Sequence, residues 1–461
     1  VSVPEGRSII NFAVAVIGWG KGGKTIAGTL ARAGKKVAMI EQSDQMYGGT
    51  CINIACVPTK ALIHSAEIRT SNDFNPEYFA RSVERRDTLT GKMRDKNYAM
   101  LADLETVVVF TGRASFTRPT SLTVTAGDDV LELSADTILI NNGSVPIIPD
   151  IAGAEIGGRI HTSTTLQHAP LPEHLIVVGG GHIGLEFASM FAMYGSEVTV
   201  LDKNSRPLPR EDEDVAGEVV HGLQGSGVRI VSDANVHRID QSEDCVTIQY
   251  VWNDQEQQVR GDAVLLALGR TPATEGLNLE AAGIDTTDRG AIKVDEYLRT
   301  NVEGIYALGD VNGGPQFTYI SLDDNRIVTD QLLGEGKRST EDRVAVPTTL
   351  FTTPPLSRVG ITESEARAHG LNVKVAVKKV ADIAAMPRPK IVGDPRGIIK
   401  FVVDAEMDLV LGAALHHVDS HEVINLIALA MRYNVTSTEL KNSIFTHPSS
   451  TEALNEVLGM I

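Results

Sequence analysis

Phe12-Ala13-Val14-Ala15-Val16-Ile17 runs straight into Gly18-Trp19-Gly20-Lys21-Gly22-Gly23, and that junction decides the fold. The first six residues are a short apolar run, which reads as a buried strand. The glycines read as a tight turn opening a helix, expected to continue to Ala33. A second strand, Lys36 to Ile40, ends on Glu41, 23 residues after Gly18. The same order returns later. Leu175 to Val178 leads into Gly179-Gly180-Gly181-His182-Ile183-Gly184, then a helical stretch through Tyr194. Strand Glu197 to Leu201 follows and ends on Asp202, 23 residues after Gly179. With 42 Gly in 461 residues, chance gives about 0.3 G-x-G-x-x-G matches per chain, so the bare motif is weak. Its context carries the reading: each copy follows a strand, opens a helix and closes on an acid. The first glycine (Gly18, Gly179) permits the turn. The second (Gly20, Gly181) lets backbone approach a pyrophosphate, and the third (Gly23, Gly184) lets helix pack on strand. The acid, Glu41 or Asp202, takes a ribose hydroxyl pair. Two such sites imply two dinucleotides.

The rest of the chain divides around them. Residues 65–100 read as helical and charged, and 105–140 as strands, among them Thr106 to Phe110 and Leu122 to Val124. Pro146 and Pro149 mark the entry to the second unit. From Val346 the pattern changes to strands Ile398 to Val403 and Val410 to Leu415, helix Glu422 to Arg432, and a last helix from about Ser450, a third α+β domain. The expected class is α/β: two Rossmann-like dinucleotide-binding domains plus a C-terminal α+β dimerisation domain. The net charge of -17 excludes a nucleic-acid partner, which needs a basic surface. No apolar run reaches the roughly 18 residues of a membrane span, and no secretion signal opens the chain, so no membrane and a cytoplasmic location are expected.

Three cysteines occur, Cys51, Cys56 and Cys245. The first two lie in Gly48-Gly49-Thr50-Cys51-Ile52-Asn53-Ile54-Ala55-Cys56-Val57-Pro58-Thr59-Lys60, seven residues past Glu41. A helix beginning there places them about one turn apart, near enough for a disulfide. A thiol at a helix N-terminus is favoured as thiolate. Lys60, four residues past Cys56, adds positive charge on the same face. A structural disulfide and a zinc half-site are the alternatives; zinc needs further Cys or His ligands, and only Cys245 remains among the cysteines. Cys245, in a strand-like run to Tyr250, reads as a plain buried thiol.

This segment resembles the flavoprotein disulfide reductase family (class I pyridine nucleotide-disulfide oxidoreductases), whose motif is G-G-T-C-x-N-x-G-C-x-P-x-K. The chain departs from it at Ala55. Further resemblances follow in the family's order: Ile138 to Ser144 and Leu265 to Arg270 to its two chain-crossing motifs, and Ile305 to Asp310 to its second flavin motif. Glu186 matches the glutamate that pairs with the motif lysine, here Lys60. His447-Pro448-Ser449-Ser450-Thr451-Glu452 resembles its C-terminal acid–base element.

The resemblance implies an oxidoreductase with FAD at the first site, held by Gly18, Gly20, Gly23, Glu41, Gly49, Thr50, Gly143, Ser144, Gly309 and Asp310. NADH, with NADPH as the alternative, is expected at the second, held by Gly179, Gly181, Gly184, Asp202, Gly269 and Arg270. Lys203 and Arg206, close behind Asp202, are the residues that favour NADPH. An FAD domain over 1–149 and 290–345, an NAD(P)H domain over 150–289 and an interface domain over 346–461 are implied. Cys56 is the flavin-side sulfur and Cys51 the interchange thiol. Lys60 and Glu186 tune charge, and His447, oriented by Glu452, shuttles the proton to the partner subunit's pair, which implies a homodimer.

The acceptor is a small molecule or a metal ion. Ordinary mercuric reductases carry a C-terminal cysteine pair, absent from Val457-Leu458-Gly459-Met460-Ile461. Met46 to Ile54, Gln316 to Asp324, Leu333 to Thr340 and Val418 to Glu422 resemble the RclA-type reactive-chlorine-resistance subgroup, associated with Cu(II) reduction and oxidative defence. A dithiol that reduces Cu(II) to soft Cu(I) is chemically reasonable. A small-molecule disulfide reductase of the lipoamide dehydrogenase type and a low-turnover flavin redox sensor remain as alternatives. His416, His417, His421 and Glu422 are candidates for an auxiliary copper site, set against a plain polar patch.

Overall fold

The computed structural model describes residues 9–70 and 75–461. The chain forms two compact units. The first comprises the described part of Val1–Leu62, with Arg81–Ile147 and Gly269–Asp342; the second comprises that of Ile63–Ala80, with Ile148–Leu268 and Arg343–Ile461.

In the first unit, β1 (Ile10–Ile17) lies at the centre of a seven-stranded sheet with β2 (Val37–Glu41), β3 (Val107–Thr111), β4 (Arg113–Arg118), β5 (Ser121–Ala126) and β6 (Asp129–Ile140). The order is β3-β2-β1-β6-β5-β4, and Ile305–Ala307 pairs parallel to β6. β1 is parallel to both neighbours, with Ile17 opposite Ile40 and Ile140. A parallel strand is covered on both faces, so its sequence is a continuous apolar run rather than an alternation. Helix α1 (Lys21–Arg32) follows the glycine turn and packs Ile26, Ala27, Leu30 and Ala31 into the core beside Val14 and Val16.

The cysteine segment is two helices, α2 (Thr50–Asn53) and α3 (Cys56–Glu67), not the single one the spacing suggested. Pro58 is the reason. It has no N–H to give the carbonyl of Ile54, and its ring collides with that carbonyl in a continuous helix. Proline is tolerated in a first turn, so the helix restarts at Cys56. The stretch over 65–100, expected to be helical and charged, holds the end of α3 at Glu67 and most of α4 (Pro76–Ala102).

In the second unit, Val228–Val231, Glu197–Leu201, His174–Val178, Ala263–Leu266 and Ile160–His161 form a parallel sheet in that order. Helix α5 (His182–Tyr194) follows its glycine turn, and α6 (Glu213–Gly225) comes next. Five antiparallel strands, ordered Thr348–Leu350, Leu356–Gly360, Val410–His416, Ile398–Asp404 and Val373–Lys379, form the C-terminal sheet against Ser420–Arg432. The last helix is shorter than expected, Ala453–Val457. Cys245 precedes strand Val246–Trp252 in a turn, half-buried against Ser242 at 3.5 Å, rather than buried within a strand. Short α7 (Leu279–Ala282) and long α8 (Thr318–Leu333) belong to the first unit.

Candidate active site

The first glycine turn is held by side chains far away in sequence. Gly18 has φ +90, and a Cβ there would sit 2.5 Å from the Asn142 backbone, so no other residue fits. Gly22 N–H donates to Ser321 Oγ at 3.0 Å and Gly23 N–H to Asn141 Oδ1 at 2.7 Å. Asn141 also donates to Leu308 O at 2.6 Å, tying α1 to the approach of Gly309. Glu41 is buried and accepts the Trp19 N–H at 2.9 Å. Burial pushes its carboxyl up to about 7, against the backbone N–H groups of Trp19, Gln42 and Ser43, which favour the anion.

Ser144 and Asp310, expected together, meet: Ser144 Oγ donates to Asp310 Oδ2 at 2.7 Å. Arg270 donates from Nε to Ser144 Oγ at 2.8 Å, in the first unit. The short antiparallel pairing of Arg270–Pro272 with Ser144–Pro146 puts it there. Gly143 and Gly269 flank that pairing, at φ +76 and +105.

Cys51 lies in α2 and Cys56 is the first residue of α3; both are free thiols. Their hydrogen bond pushes the Cys51 thiol up, and burial and the charge of Cys56 add to it. That direction favours the proton of the pair on Cys51. Two groups oppose this rise, the Thr318 hydroxyl and the Lys24 ammonium. Thr318 opens α8 and stands 3.6 Å from Cys56 Sγ. Neither was legible from the sequence: 262 residues separate Thr318 from Cys56. Gly49 and Thr50 form the junction into α2, and Lys60 lies on α3 one turn past Cys56.

In the second unit Gly181 precedes α5, with no side chain capping it. Asp202 is buried beside Gly180; its Oδ1 accepts from Asn204 N at 3.2 Å and Nδ2 at 3.0 Å. Its Oδ2 is buried and has no partner. Arg206 donates to the carbonyls of Leu208, Pro209 and Glu211. Glu186, on α5, accepts Phe351 N–H at 2.8 Å. His447 Nδ1 lies 2.9 Å from Glu452 Oε1, and Ser449 N–H donates to Glu452 Oε2 at 2.8 Å. The His447 side chain is 72% exposed, presented outward by a carboxylate that is 15% exposed.

The four candidates His416, His417, His421 and Glu422 do not form a metal cluster. Among the described residues no three His, Cys, Asp or Glu side chains converge to hold a metal ion. His416 ends a strand and His417 follows it, so the two rings leave opposite faces. Both are buried; His416 Nδ1 lies 3.4 Å from Pro355 O and His417 Nδ1 is bonded to Val418 O. Burial pushes both down to about 4. Glu422 points to solvent, its side chain 78% exposed.

Residues 12–324 match the sequence profile of the pyridine nucleotide-disulphide oxidoreductases, and 346–458 match the dimerisation domain of the same proteins. The chain belongs to this family. It is 46% identical to the Escherichia coli protein named "Probable pyridine nucleotide-disulfide oxidoreductase RclA", over 98% of this chain and 99% of the relative. It is 32% identical to a mercuric reductase of Lysinibacillus sphaericus, over 96% of this chain and 81% of that one. The solved Cu(II) complex of the HOCl-induced flavoprotein disulfide reductase RclA from E. coli superposes with a TM-score of 0.93 at 45% identity, covering 98% of this chain and 100% of that one.

As a pyridine nucleotide-disulphide oxidoreductase, the chain is an enzyme that uses FAD and NAD(P)H and carries a dimerisation domain. Among the described residues no helix is long and apolar enough to cross a membrane. Its orphaned buried atoms fit the two cofactors. Trp19 Nε1 and Asn142 Oδ1 are buried without partners at the first glycine turn, as Asp202 Oδ2 is at the second. Glu41 gives a pH test of the first site. With its ribose on Glu41, as the family resemblance implies, FAD favours the anion and its binding releases a proton below pH 7. FAD affinity is expected to rise up to about tenfold per pH unit from pH 5.5 to 7 and then level off. Release of flavin fluorescence on dilution measures this; the same slope in Glu41→Gln would show that Glu41 is not its source.

Proposed function

We propose that the enzyme passes electrons from NADH through FAD and the Cys51–Cys56 pair to Cu(II), as a copper reductase. The observation that carries this reading is the 45% identical Cu(II) complex over the full chain, joined to an accessible dithiol in the same fold. FAD, when bound, accepts the hydride of the nicotinamide and returns two electrons to the disulfide. The chain's residues do the rest. Opening the disulfide leaves the proton on Cys51 and the negative charge on Cys56, the direction the electrostatics favour. Cys51 then loses its proton to the acceptor side, with His447 of a second copy as the base and Glu452 orienting it. Two Cu(II) each take one electron, and the pair closes again as a disulfide. Thiolate suits the Cu(I) formed.

NADH is preferred over NADPH. The free Asp202 Oδ2 accepts from a ribose hydroxyl and repels a 2′-phosphate. Arg206, the nearby cation suited to such a phosphate, is committed to three carbonyls. Lys60 and Glu186 each carry the charge-tuning role that the resemblance gives them, and the interface domain over 346–461 joins the homodimer. The test is nucleotide oxidation with CuCl2, lipoamide and oxidised glutathione in turn, before and after thiol alkylation. Copper turnover with NADH that alkylation abolishes is expected. Fast lipoamide turnover with idle copper would assign a disulfide substrate, and no turnover with any of the three a sensor.

A further inference from the structure

Lys24 stands in the first turn and a half of α1, its N–H on the Gly20 carbonyl at 3.0 Å. Its ammonium donates to Gly48 O at 3.2 Å and to Asn97 Oδ1 at 2.5 Å. The Asn97 amide donates to Met93 O at 2.7 Å, which fixes Oδ1 toward the lysine. Both acceptors are neutral, and among the described residues Lys24 makes no ion pair. A half-buried ammonium without a counter-ion is costly. Burial pushes it down to about 8, Lys21 of the same helix adds to that, and Cys51 of α2 works the other way. The effect is reciprocal, since Lys24 is one of the two groups that oppose the rise in Cys51. The anchor explains the geometry: Gly48 is three residues ahead of Cys51, so the lysine is tied to the backbone of the redox loop itself. From α4 the site meets the neutral Asn97, and Arg94, three residues before it, donates to Asn53 Oδ1 of α2 at 3.0 Å.

We propose that Lys24 is a positioning residue for Cys51, its ammonium held by Gly48 and Asn97 as the counter-ion of the thiolate that Cys51 forms when it meets the acceptor. Lys24 keeps its own protons in this step. The proton of Cys51 leaves toward the acceptor side, and the lysine stabilises the charge left behind. Above pH 8 the lysine discharges and the support falls away. The inference rests on Cys51 being the exchange thiol.

The test is the rate of Cys51 alkylation by iodoacetamide in dithionite-reduced holoenzyme, followed by peptide mass spectrometry from pH 6 to 10. Below pH 8, where the ammonium is charged, Lys24→Met is expected to label about tenfold more slowly than wild type, and the two are expected to converge above it. Lys24→Arg is expected to stay near wild type. Asn97→Asp, nearly isosteric, gives Lys24 a competing carboxylate and is expected to slow labelling below pH 8 without altering packing. Unchanged rates in Lys24→Met and Asn97→Asp overturn the proposal, as does an equal loss in Lys24→Arg. Labelling of Cys56 in place of Cys51 in wild type instead overturns the exchange-thiol assignment beneath it.

Discussion

The Cys51→Ser enzyme is expected to retain FAD and to be reduced by NADH, yet to lose Cu(II) reduction by about a thousandfold. The two halves of this expectation have separate causes. The residues proposed to hold FAD, the glycine turn, Glu41 and the Ser144–Asp310 pair, are fixed by hydrogen bonds that do not involve the sulfur. The acceptor meets a nucleophile, and a serine hydroxyl at that place neither ionises in the working range nor ligates a soft cation. Cys56→Ser is expected to fail at an earlier point. It removes the partner whose hydrogen bond and charge keep the proton on Cys51. Stopped-flow bleaching of the flavin by NADH, set beside steady-state copper reduction, separates the two variants. If Cys51→Ser keeps more than a tenth of wild-type copper turnover, electrons reach copper without the dithiol and the proposed path is wrong.

Much of this arrangement was legible in the sequence because it is local. The junction of Ile17 with Gly18 marks a strand end, a turn and a helix start within a few residues, and β1 and α1 fall within three residues of their expected bounds. The His447–Glu452 pair is five residues apart and forms, as the resemblance of its segment implied. The break between α2 and α3 is also written in the sequence, in Pro58. What could not be read is what the topology brings from afar. Arg270 reaches Ser144 across 126 residues. Asn141 and Ser321 support the first glycine helix from 118 and 299 residues away. The histidines show the converse. His416 and His417 are adjacent in sequence, and for that reason a strand end turns them apart. Asp419, at φ 67, then turns the chain into the helix that carries His421.

Lys400→Met is expected to destabilise the second unit by about 3 kcal/mol and to lower Tm by roughly 6–10 °C. Lys400 leaves strand Ile398–Asp404 with 5% of its side chain exposed, and its ammonium meets Asp212 at 3.1 Å, Asp214 at 3.0 Å and Glu363 at 2.8 Å. Asp212 directly precedes α6, and it also accepts Glu363 N–H at 2.9 Å and Ser364 N–H at 3.0 Å. One lysine thus joins the segment after the second dinucleotide strand to the C-terminal sheet. Methionine keeps the apolar stem but leaves a cluster of carboxylates facing one another, and breaking a buried pair from one side costs more than the pair itself contributes. Asp214 and Glu363 are partly exposed, which holds the loss near the lower end of the usual range. The pH dependence has a definite sign. Burial alone would lower Lys400, but the three carboxylates raise it, while Asp212 and Glu363 are held below their ordinary values. The contribution is therefore present from about pH 5 to pH 10 and is lost on the acid side as the depressed carboxylates take up protons. Wild type and Lys400→Met should converge in Tm as the pH falls below 4. Two melting curves that stay parallel down to pH 3 would mean that lost packing, not lost charge, accounts for the difference.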